Sequence, residues 1–174
     1  MSPDPILILS GPPGAGKTTA ARLLAEGFER AAHVEADRFF DFIESGFVAP
    51  WLPESHEQNE TVMGIVGDTA AAYADAGYFT IVEGIVIPKW FLEPLRDELR
   101  ARGHDVAYAV LTAPLELCVE RRPLIAPAVV ESIWRQFGDL GEFGHHGIDV
   151  EQLEPEAVVA ELADGLRGRF RLSP

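Results

Sequence analysis

The amino-acid sequence predicts a three-layer α/β fold, in which a parallel sheet of about five strands is flanked by helices. Short apolar runs without polar alternation recur along the chain, as in strands that are buried on both faces. Segments of helical length separate these runs, and regular alternation of strand and helix is typical of parallel sheets with right-handed crossovers. A glycine-rich stretch joins the first apolar run to the first helical segment.

The strands and helices of this fold can be placed one after another along the chain. Strands are predicted at residues 5–10, 32–36, 79–84, 105–112 and, from the weakest pattern, 147–150. Helices are predicted at residues 17–30, 57–76, 88–102, 114–122, 126–138 and 155–169. Pro88, Pro114 and Pro155 stand at or near helix starts, where proline is favoured, and Ser55 with Gln58 has capping-box spacing. Functional residues are expected at the carboxyl ends of the strands.

Length and charge limit the kinds of protein that this chain can be. Its 174 residues suit one domain, covering 1–174, with a single core. The net charge is -14, and the sequence has two lysines, Lys17 and Lys89. Because nucleic-acid-binding proteins neutralise phosphates with basic patches, we expect no nucleic-acid partner. Any bound phosphate must be held by local groups against an unfavourable overall field.

Cysteine content and hydropathy predict a cytoplasmic location. No apolar run approaches the roughly 20 residues of a membrane-spanning helix, so we expect no membrane association. The first residues lack the basic segment of a secretory signal. Cys118 is the single cysteine, which suits a reducing compartment.

The glycine-rich stretch carries the most specific pattern in the chain. Residues 11–18 read GPPGAGKT and match G-x-x-x-x-G-K-[ST], the phosphate-binding P-loop. Glycines let backbone N–H groups approach phosphate oxygens, and the helix start adds its positive dipole end. Lys17 is expected to reach the β- and γ-phosphates, and the Thr18 hydroxyl to bind Mg²⁺. The residues expected to contact the nucleotide are Gly11, Pro13, Gly14, Ala15, Gly16, Lys17, Thr18 and Thr19.

A P-loop alone does not separate a motor, a switch and a kinase. The loop resembles that of AAA+ ATPases, but those machines carry an acidic pair on a later strand and a helical lid domain. The corresponding strand here reads TIVEGIV, in which Glu83 is followed by Gly84. The guanine-reading N-K-x-D motif of GTPases is absent from the sequence. The remaining interpretation is a short chain that transfers phosphate to a small molecule.

Five segments together resemble the small P-loop kinases, the group that includes gluconate kinase, shikimate kinase, chloramphenicol phosphotransferase and the zeta-toxin kinases. They are the P-loop, VEADRFFDF, IVEG, LTAPLELCVERR and GIDVEQLEPEAVVAEL, which together extend over nearly the whole chain. The resemblance is greatest to gluconate-kinase-like proteins. It implies a P-loop NTPase fold with a short lid at about 122–138, ATP and Mg²⁺ as cofactors, and a small-molecule hydroxyl substrate. Either a monomer or a homodimer is compatible with it.

Two acidic residues are candidates for the chemistry. Asp37 follows the second strand, where the family places an acid that orients the acceptor hydroxyl and accepts its proton; alternatively, it caps the next helix. Glu83 ends the third strand among apolar neighbours, where an acid is costly unless a cation or donors satisfy it. We expect Glu83 to hold Mg²⁺, with substrate contact as the alternative.

Three arginines are candidates for closing over ATP. The resemblance places Arg121 against adenine, because related kinases have an arginine late in the helix after strand four. A second lid arginine usually grips the transferring phosphate. Ile125 stands where that arginine is expected, so Arg122 or Arg135 must replace it. Arg135 could instead pair with Glu131 on an exposed helix.

The acceptor region, residues 37–60, combines acids with aromatic residues and contains one arginine, Arg38. A carboxylate or phosphate substrate would normally be clamped by arginines. We therefore expect a neutral or cationic hydroxyl compound with apolar surface, such as an antibiotic; alternatively, the acids form a solvated helix face. The other functions left open are a nucleoside or nucleotide kinase and a non-catalytic nucleotide-binding regulatory protein.

Overall fold

A computed structural model describes residues 4–172, with all their side chains except that of Lys89. Within these residues, five strands form one sheet in the order β2-β3-β1-β4-β5, and every neighbouring pair is parallel. The strands are β1 (Ile6–Ser10), β2 (Ala31–Glu35), β3 (Phe79–Glu83), β4 (Val106–Thr112) and β5 (Gly147–Asp149). The predicted parallel sheet of about five strands is therefore confirmed.

Helices connect the strands at the predicted places. They are α1 (Lys17–Ala25), α2 (His56–Asp75), α3 (Glu93–Ala101), α4 (Leu115–Glu120), α5 (Pro127–Gln136) and α6 (Pro155–Gly165). Short 3-10 helices cover Ala36–Phe42, Pro53–Ser55 and Gly141–His146, and a π-helical turn at Pro88–Leu92 leads into α3. Across the described part of the chain, no helix is long and apolar enough to cross a membrane.

The core lies on both faces of the sheet. Ile6 and Ile8 belong to the apolar cluster beneath α2 and α3, whereas Leu7 and Leu9 belong to the cluster beneath α1 and α6. Because successive side chains of a strand point to opposite faces, β1 must be apolar at every position. This requirement explains the continuous apolar run in the sequence and confirms the three-layer arrangement.

Two local predictions were wrong. The first helix was expected to reach residue 30, but α1 ends at Ala25 and a turn follows, in which Phe28 stacks on Phe79 of β3. The predicted capping box of Ser55 and Gln58 is not formed, because both side chains have other partners. The Ser55 hydroxyl oxygen lies within hydrogen-bond distance of the carbonyl oxygens of Pro50 and Leu52, and Gln58 bonds the backbone of residue 48.

Candidate active site

Strand pairing brings the candidate residues to one edge of the sheet. β1 ends in the P-loop, and Leu9 of β1 lies opposite Glu83 of β3. Glu83 in turn lies opposite Glu35 at the end of β2, two residues before Asp37. The carboxyl ends of three neighbouring strands thus place the P-loop, Glu83 and Asp37 side by side, where ligands of open α/β sheets bind.

Glycines allow the P-loop to lie directly against neighbouring backbone. Gly11 has φ 140°, and a Cβ atom there would lie 2.2 Å from the carbonyl oxygen of Leu111. Gly14 has φ 86°, and its Cβ would lie 2.6 Å from the carbonyl oxygen of Cys118. Any side chain would therefore displace the loop from β4 and α4. The result is a cradle lined by backbone, as phosphate binding requires.

Lys17 is buried beneath this loop and points back into it. Its ammonium group donates to the carbonyl oxygens of Gly11 at 2.9 Å and Pro12 at 3.1 Å. Burial lowers the pKa of Lys17, whereas the carboxylates of Glu83 and Asp37 oppose this effect. The two carbonyl oxygens therefore offset part of the cost of burying this charge.

Thr18 and Glu83 are in direct contact. The Thr18 hydroxyl donates to Glu83 Oε2 at 3.0 Å, and His33 Nε2 lies 3.5 Å from the same oxygen. Burial raises the pKa of Glu83, but His33, Lys17 and Thr18 outweigh it and hold the pKa below its usual range. Glu83 is therefore an ionised, buried carboxylate beside a hydroxyl, a pair of oxygen donors that suits Mg²⁺.

Asp37 is not the N-cap of the helix that follows β2. That helix, Ala36–Phe42, is preceded by Glu35, and it has no side-chain cap. Part of the Asp37 surface is exposed to solvent, and the charges of Lys17, Glu83 and Arg122 act on its carboxyl group. Burial raises its pKa; Lys17 and Arg122 oppose the shift, and Glu83 adds to it. The carboxyl group is thus close to Lys17 and open to an incoming hydroxyl.

The three candidate arginines have different surroundings. Arg121 Nη1 donates to the carbonyl oxygen of Gly14 at 3.3 Å, which attaches the end of α4 to the P-loop. The positive charge of Arg122 lowers the pKa of both Lys17 and Asp37. Arg135 pairs with Glu131 one turn earlier on α5. Arg121 thus contacts the P-loop directly, whereas Arg122 acts on Lys17 and Asp37 through its charge.

The predicted lid segment contains both buried and exposed residues. The predicted lid at about 122–138 includes α5, whose residues Val130 and Ile133 are buried in the core. Trp134 Nε1 also donates to the carbonyl oxygen of Ala113 at 2.8 Å. The connection before α5 is exposed, and Leu124 is 99% accessible. The exposed part of the predicted lid segment is therefore this connection, whereas α5 is packed against the core.

His33 is a site residue that sequence reasoning missed. It lies on β2, and the register opposite β3 brings its ring to Glu83. Neither its residue type nor its position in the sequence indicates that His33 contacts Glu83, because α2 lies between β2 and β3 in the sequence. Knowledge of the strand order is the signal that would have identified it.

Fold and site together define a P-loop α/β domain with a phosphate-binding loop and acidic groups at one sheet edge. A family profile described as an AAA domain matches residues 6–123, which is more than half of the chain. The chain therefore belongs to this family. The match extends from β1 to just beyond α4 and includes every candidate site residue except Arg135. Comparison with curated proteins finds no match.

Solved structures share this fold over nearly the full length. The tunicamycin resistance protein of Deinococcus radiodurans superposes with a TM-score of 0.70 at 24% identity, covering 98% of this chain and 99% of that one. A sugar kinase from Janibacter sp. gives 0.66 at 23% identity, with 95% of each chain covered. A gluconokinase from Sinorhizobium meliloti gives 0.69 at 15% identity, covering 94% and 92%. The expected small P-loop kinase fold is thereby confirmed.

Proposed function

We propose that the protein is a Mg²⁺-dependent phosphotransferase that moves the γ-phosphate of ATP to a hydroxyl group of a small molecule. The observation that carries this proposal is the meeting of Lys17, the Thr18–Glu83 pair and Asp37 at one sheet edge. The solved kinases that share the fold support it by analogy. The acceptor hydroxyl oxygen forms a bond to phosphorus, and the bond from phosphorus to the ADP oxygen breaks.

The P-loop residues would hold the donor. Backbone N–H groups around Gly14 face the phosphates, and Lys17 exchanges its two carbonyl partners for phosphate oxygens. Thr18 and Glu83 would supply oxygen ligands to Mg²⁺, and a bound Mg²⁺ would offset negative charge on the phosphates. These local charges allow a polyanion to bind despite a net charge of -14.

The remaining residues would position the acceptor and complete the charge balance. Asp37 orients the acceptor hydroxyl and accepts its proton as the new bond forms. Arg122 offsets charge on the transferring phosphoryl group, as arginines do in phosphoryl transfer. Arg121, attached to the P-loop through Gly14, covers the adenine. Phosphoryl transfer needs little more than such positioning and electrostatic stabilisation.

The test is release of ADP from Mg-ATP in the presence of pooled hydroxyl compounds. The pools contain sugar acids, nucleosides, aminoglycosides, and phenicol or macrolide antibiotics, and mass spectrometry identifies any phosphorylated product. Asp37→Asn should abolish turnover and retain ATP binding. Asp41→Asn is the matched control, because Asp41 lies on the same short helix and its side chain is 73% exposed.

Three outcomes would change the proposal. Tight ATP binding without product in any pool would favour a nucleotide-binding regulatory protein. A product confined to the nucleoside pool would favour a nucleoside kinase. Full turnover by Asp37→Asn would remove Asp37 from the mechanism.

A further inference from the structure

An open groove of about 680 Å³ lies between the Ala36–Phe42 helix and α2. Its apolar lining consists of Phe39, Phe42, Ile43, Val48, Val62 and Ile65. We call it the 39–65 groove. Its volume falls within the range of small-molecule sites, which are about 300–1,000 Å³ and mostly apolar.

The groove and the candidate active site share one short helix. Asp37 stands in the first turn of the Ala36–Phe42 helix, whereas Phe39 and Phe42 further along it line the groove. With a rise of about 2 Å per residue, Phe42 lies about 10 Å along the helix axis from Asp37. A molecule whose hydroxyl lies at Asp37 can therefore extend into the groove.

Apolar side chains remain exposed along this segment. Of the eight large apolar side chains that are exposed in the described part of the chain, five lie between residues 42 and 65. Phe42 is 77% exposed and Ile65 is 49% exposed, and both line the groove. Exposed apolar side chains that line a groove mark a place where an apolar ligand can bind.

Hydrogen bonds hold the outer wall of the groove in place. The Gln58 side chain accepts from the backbone N–H of Val48 at 2.8 Å and donates to its carbonyl oxygen at 2.7 Å. Asn59 Nδ2 donates to the carbonyl oxygen of Pro50 at 2.8 Å. The loop before α2 is thus attached to the helix by two side chains, so the groove is preformed and little ordering is needed on binding.

The charges at the groove disfavour anionic ligands. Glu54 and Glu57 are the charged residues that line it, and none of its described lining residues is basic. The nearby Arg38 pairs with Glu35, at 3.2 Å, instead of reaching the groove. A carboxylate or phosphate on the ligand would face two carboxylates without a cationic partner, whereas a neutral or cationic ligand would not.

We propose that the 39–65 groove binds the apolar part of the phosphate acceptor, which is an amphipathic hydroxyl compound without negative charge. The inference rests on the proposed function, because the acceptor hydroxyl must lie at Asp37. Sugar acids and nucleoside monophosphates are thereby excluded as preferred acceptors.

The first experiment tests whether the groove binds an apolar group, with a series of glucosides whose alkyl chain lengthens from methyl to octyl. Each glucoside is used below its critical micelle concentration. Binding is measured by displacement of Nile red, an uncharged dye, and phosphorylation is measured in parallel with Mg-ATP. Each methylene that the groove buries should strengthen binding about two- to fourfold. Phe42→Ala with Ile65→Ala should weaken octyl glucoside binding about tenfold and leave methyl glucoside unchanged. Tyr73→Ala, an exposed site on α2 outside the groove, is the matched control.

The second experiment tests charge with octyl glucoside and octyl glucuronide, which differ in one carboxylate. The glucuronide should bind about three- to tenfold more weakly at low salt, and the difference should shrink as salt screens it. Glu54→Gln with Glu57→Gln should remove most of the difference, since both carboxylates are then neutral.

The outcomes separate the groove from the proposed function. Dye displacement that grows with chain length, without phosphorylation of any acceptor, would support the groove and contradict the kinase. Phosphorylation of gluconate or shikimate in preference to every alkyl glucoside would support the kinase and overturn the groove. Binding that is independent of chain length would also overturn it.

Discussion

The Thr18 hydroxyl donates to Glu83 Oε2 at 3.0 Å, which joins the first turn of α1 to the end of β3. Two oxygen donors that the sequence separates by 65 residues are thereby held within hydrogen-bond distance. If they hold Mg²⁺, removing the charge of Glu83 should raise the Mg²⁺ concentration needed for nucleotide binding about 10- to 100-fold. Binding of a fluorescent ATP analogue during a Mg²⁺ titration measures this.

Matched variants distinguish an effect on Mg²⁺ binding from an effect on the stability of the fold. Glu83→Gln retains an oxygen that accepts from Thr18, so thermal unfolding should change little. Thr18→Ser keeps the hydroxyl and should keep the Mg²⁺ requirement, whereas Thr18→Val should raise it. An unchanged requirement in Glu83→Gln would assign Glu83 to substrate contact or to structure.

Asp37→Asn is expected to have opposite effects on activity and stability. The pKa of Asp37 is raised by burial, with Glu83 adding to the shift and Lys17 opposing it. A carboxyl group whose pKa is higher in the folded protein than in the unfolded chain makes its ionisation costly for folding. The free energy of unfolding is not lowered at a pH below the pKa of this group in the unfolded chain. It is lowered by the full amount at a pH above the pKa of the group in the folded protein.

Urea unfolding at several pH values checks this expectation. Asp37→Asn should match the unsubstituted protein at acidic pH and be slightly more stable at neutral pH, by less than about 1 kcal/mol because solvent screens the side chain. Activity of the unsubstituted protein should fall as pH drops through the Asp37 pKa, above the usual aspartate range. A loss of stability at neutral pH would show that the Asp37 carboxylate supports the fold.

Gly11 and Gly14 should be far less tolerant of substitution than Gly16. A Cβ at Gly11 or Gly14 would lie 2.2 Å or 2.6 Å from a backbone carbonyl oxygen, whereas a Cβ at Gly16 has nothing within 4 Å. Gly16 has φ 91°, so alanine there costs about 1–2 kcal/mol of backbone strain alone. Alanine at Gly11 or Gly14 should lower the free energy of unfolding by about 2–5 kcal/mol.

Chemical denaturation without nucleotide measures these differences. Equal losses in all three alanine variants would mean that strain, and not the close approach to β4 and α4, determines the cost. Because no ligand is present, the ranking is independent of the proposed activity.

The fold could be predicted because its signals are local. A run such as Ile6 to Leu9 is apolar at every position, and only a strand that is covered on both faces requires that. The P-loop could also be predicted from the sequence, because its glycines and Lys17 have a fixed spacing. The ends of helices and strands are harder to predict from the sequence. The helix α1 ends at Ala25, and in the turn that follows Phe28 stacks on Phe79.

What the sequence could not provide is which distant side chains meet. Ser55 and Gln58 have correct spacing for a capping box, yet backbone groups of the preceding loop compete for both side chains. His33 contacts Glu83 because β2 pairs with β3, a pairing that strand order determines. The choice between Arg122 and Arg135 also depended on tertiary placement.

Arg122 and Arg135 should differ sharply when each is replaced by alanine. The charge of Arg122 lowers the pKa of both Lys17 and Asp37. Because we propose that it stabilises charge on the transferred phosphoryl group, its replacement should lower kcat about 10²- to 10³-fold. Arg135 pairs with Glu131 on the exposed side of α5. Its loss should change stability by about 0.5 kcal/mol or less and leave kcat unchanged.

Steady-state kinetics of Arg121→Ala, Arg122→Ala and Arg135→Ala, with thermal unfolding of each, make the comparison. Arg121 contacts the P-loop through Gly14, so its removal should raise KM for ATP more than it lowers kcat. Retention of kcat in Arg122→Ala together with its loss in Arg135→Ala would reverse the assignment. It would also require α5, now attached through Trp134 and Ala113, to move when ATP binds.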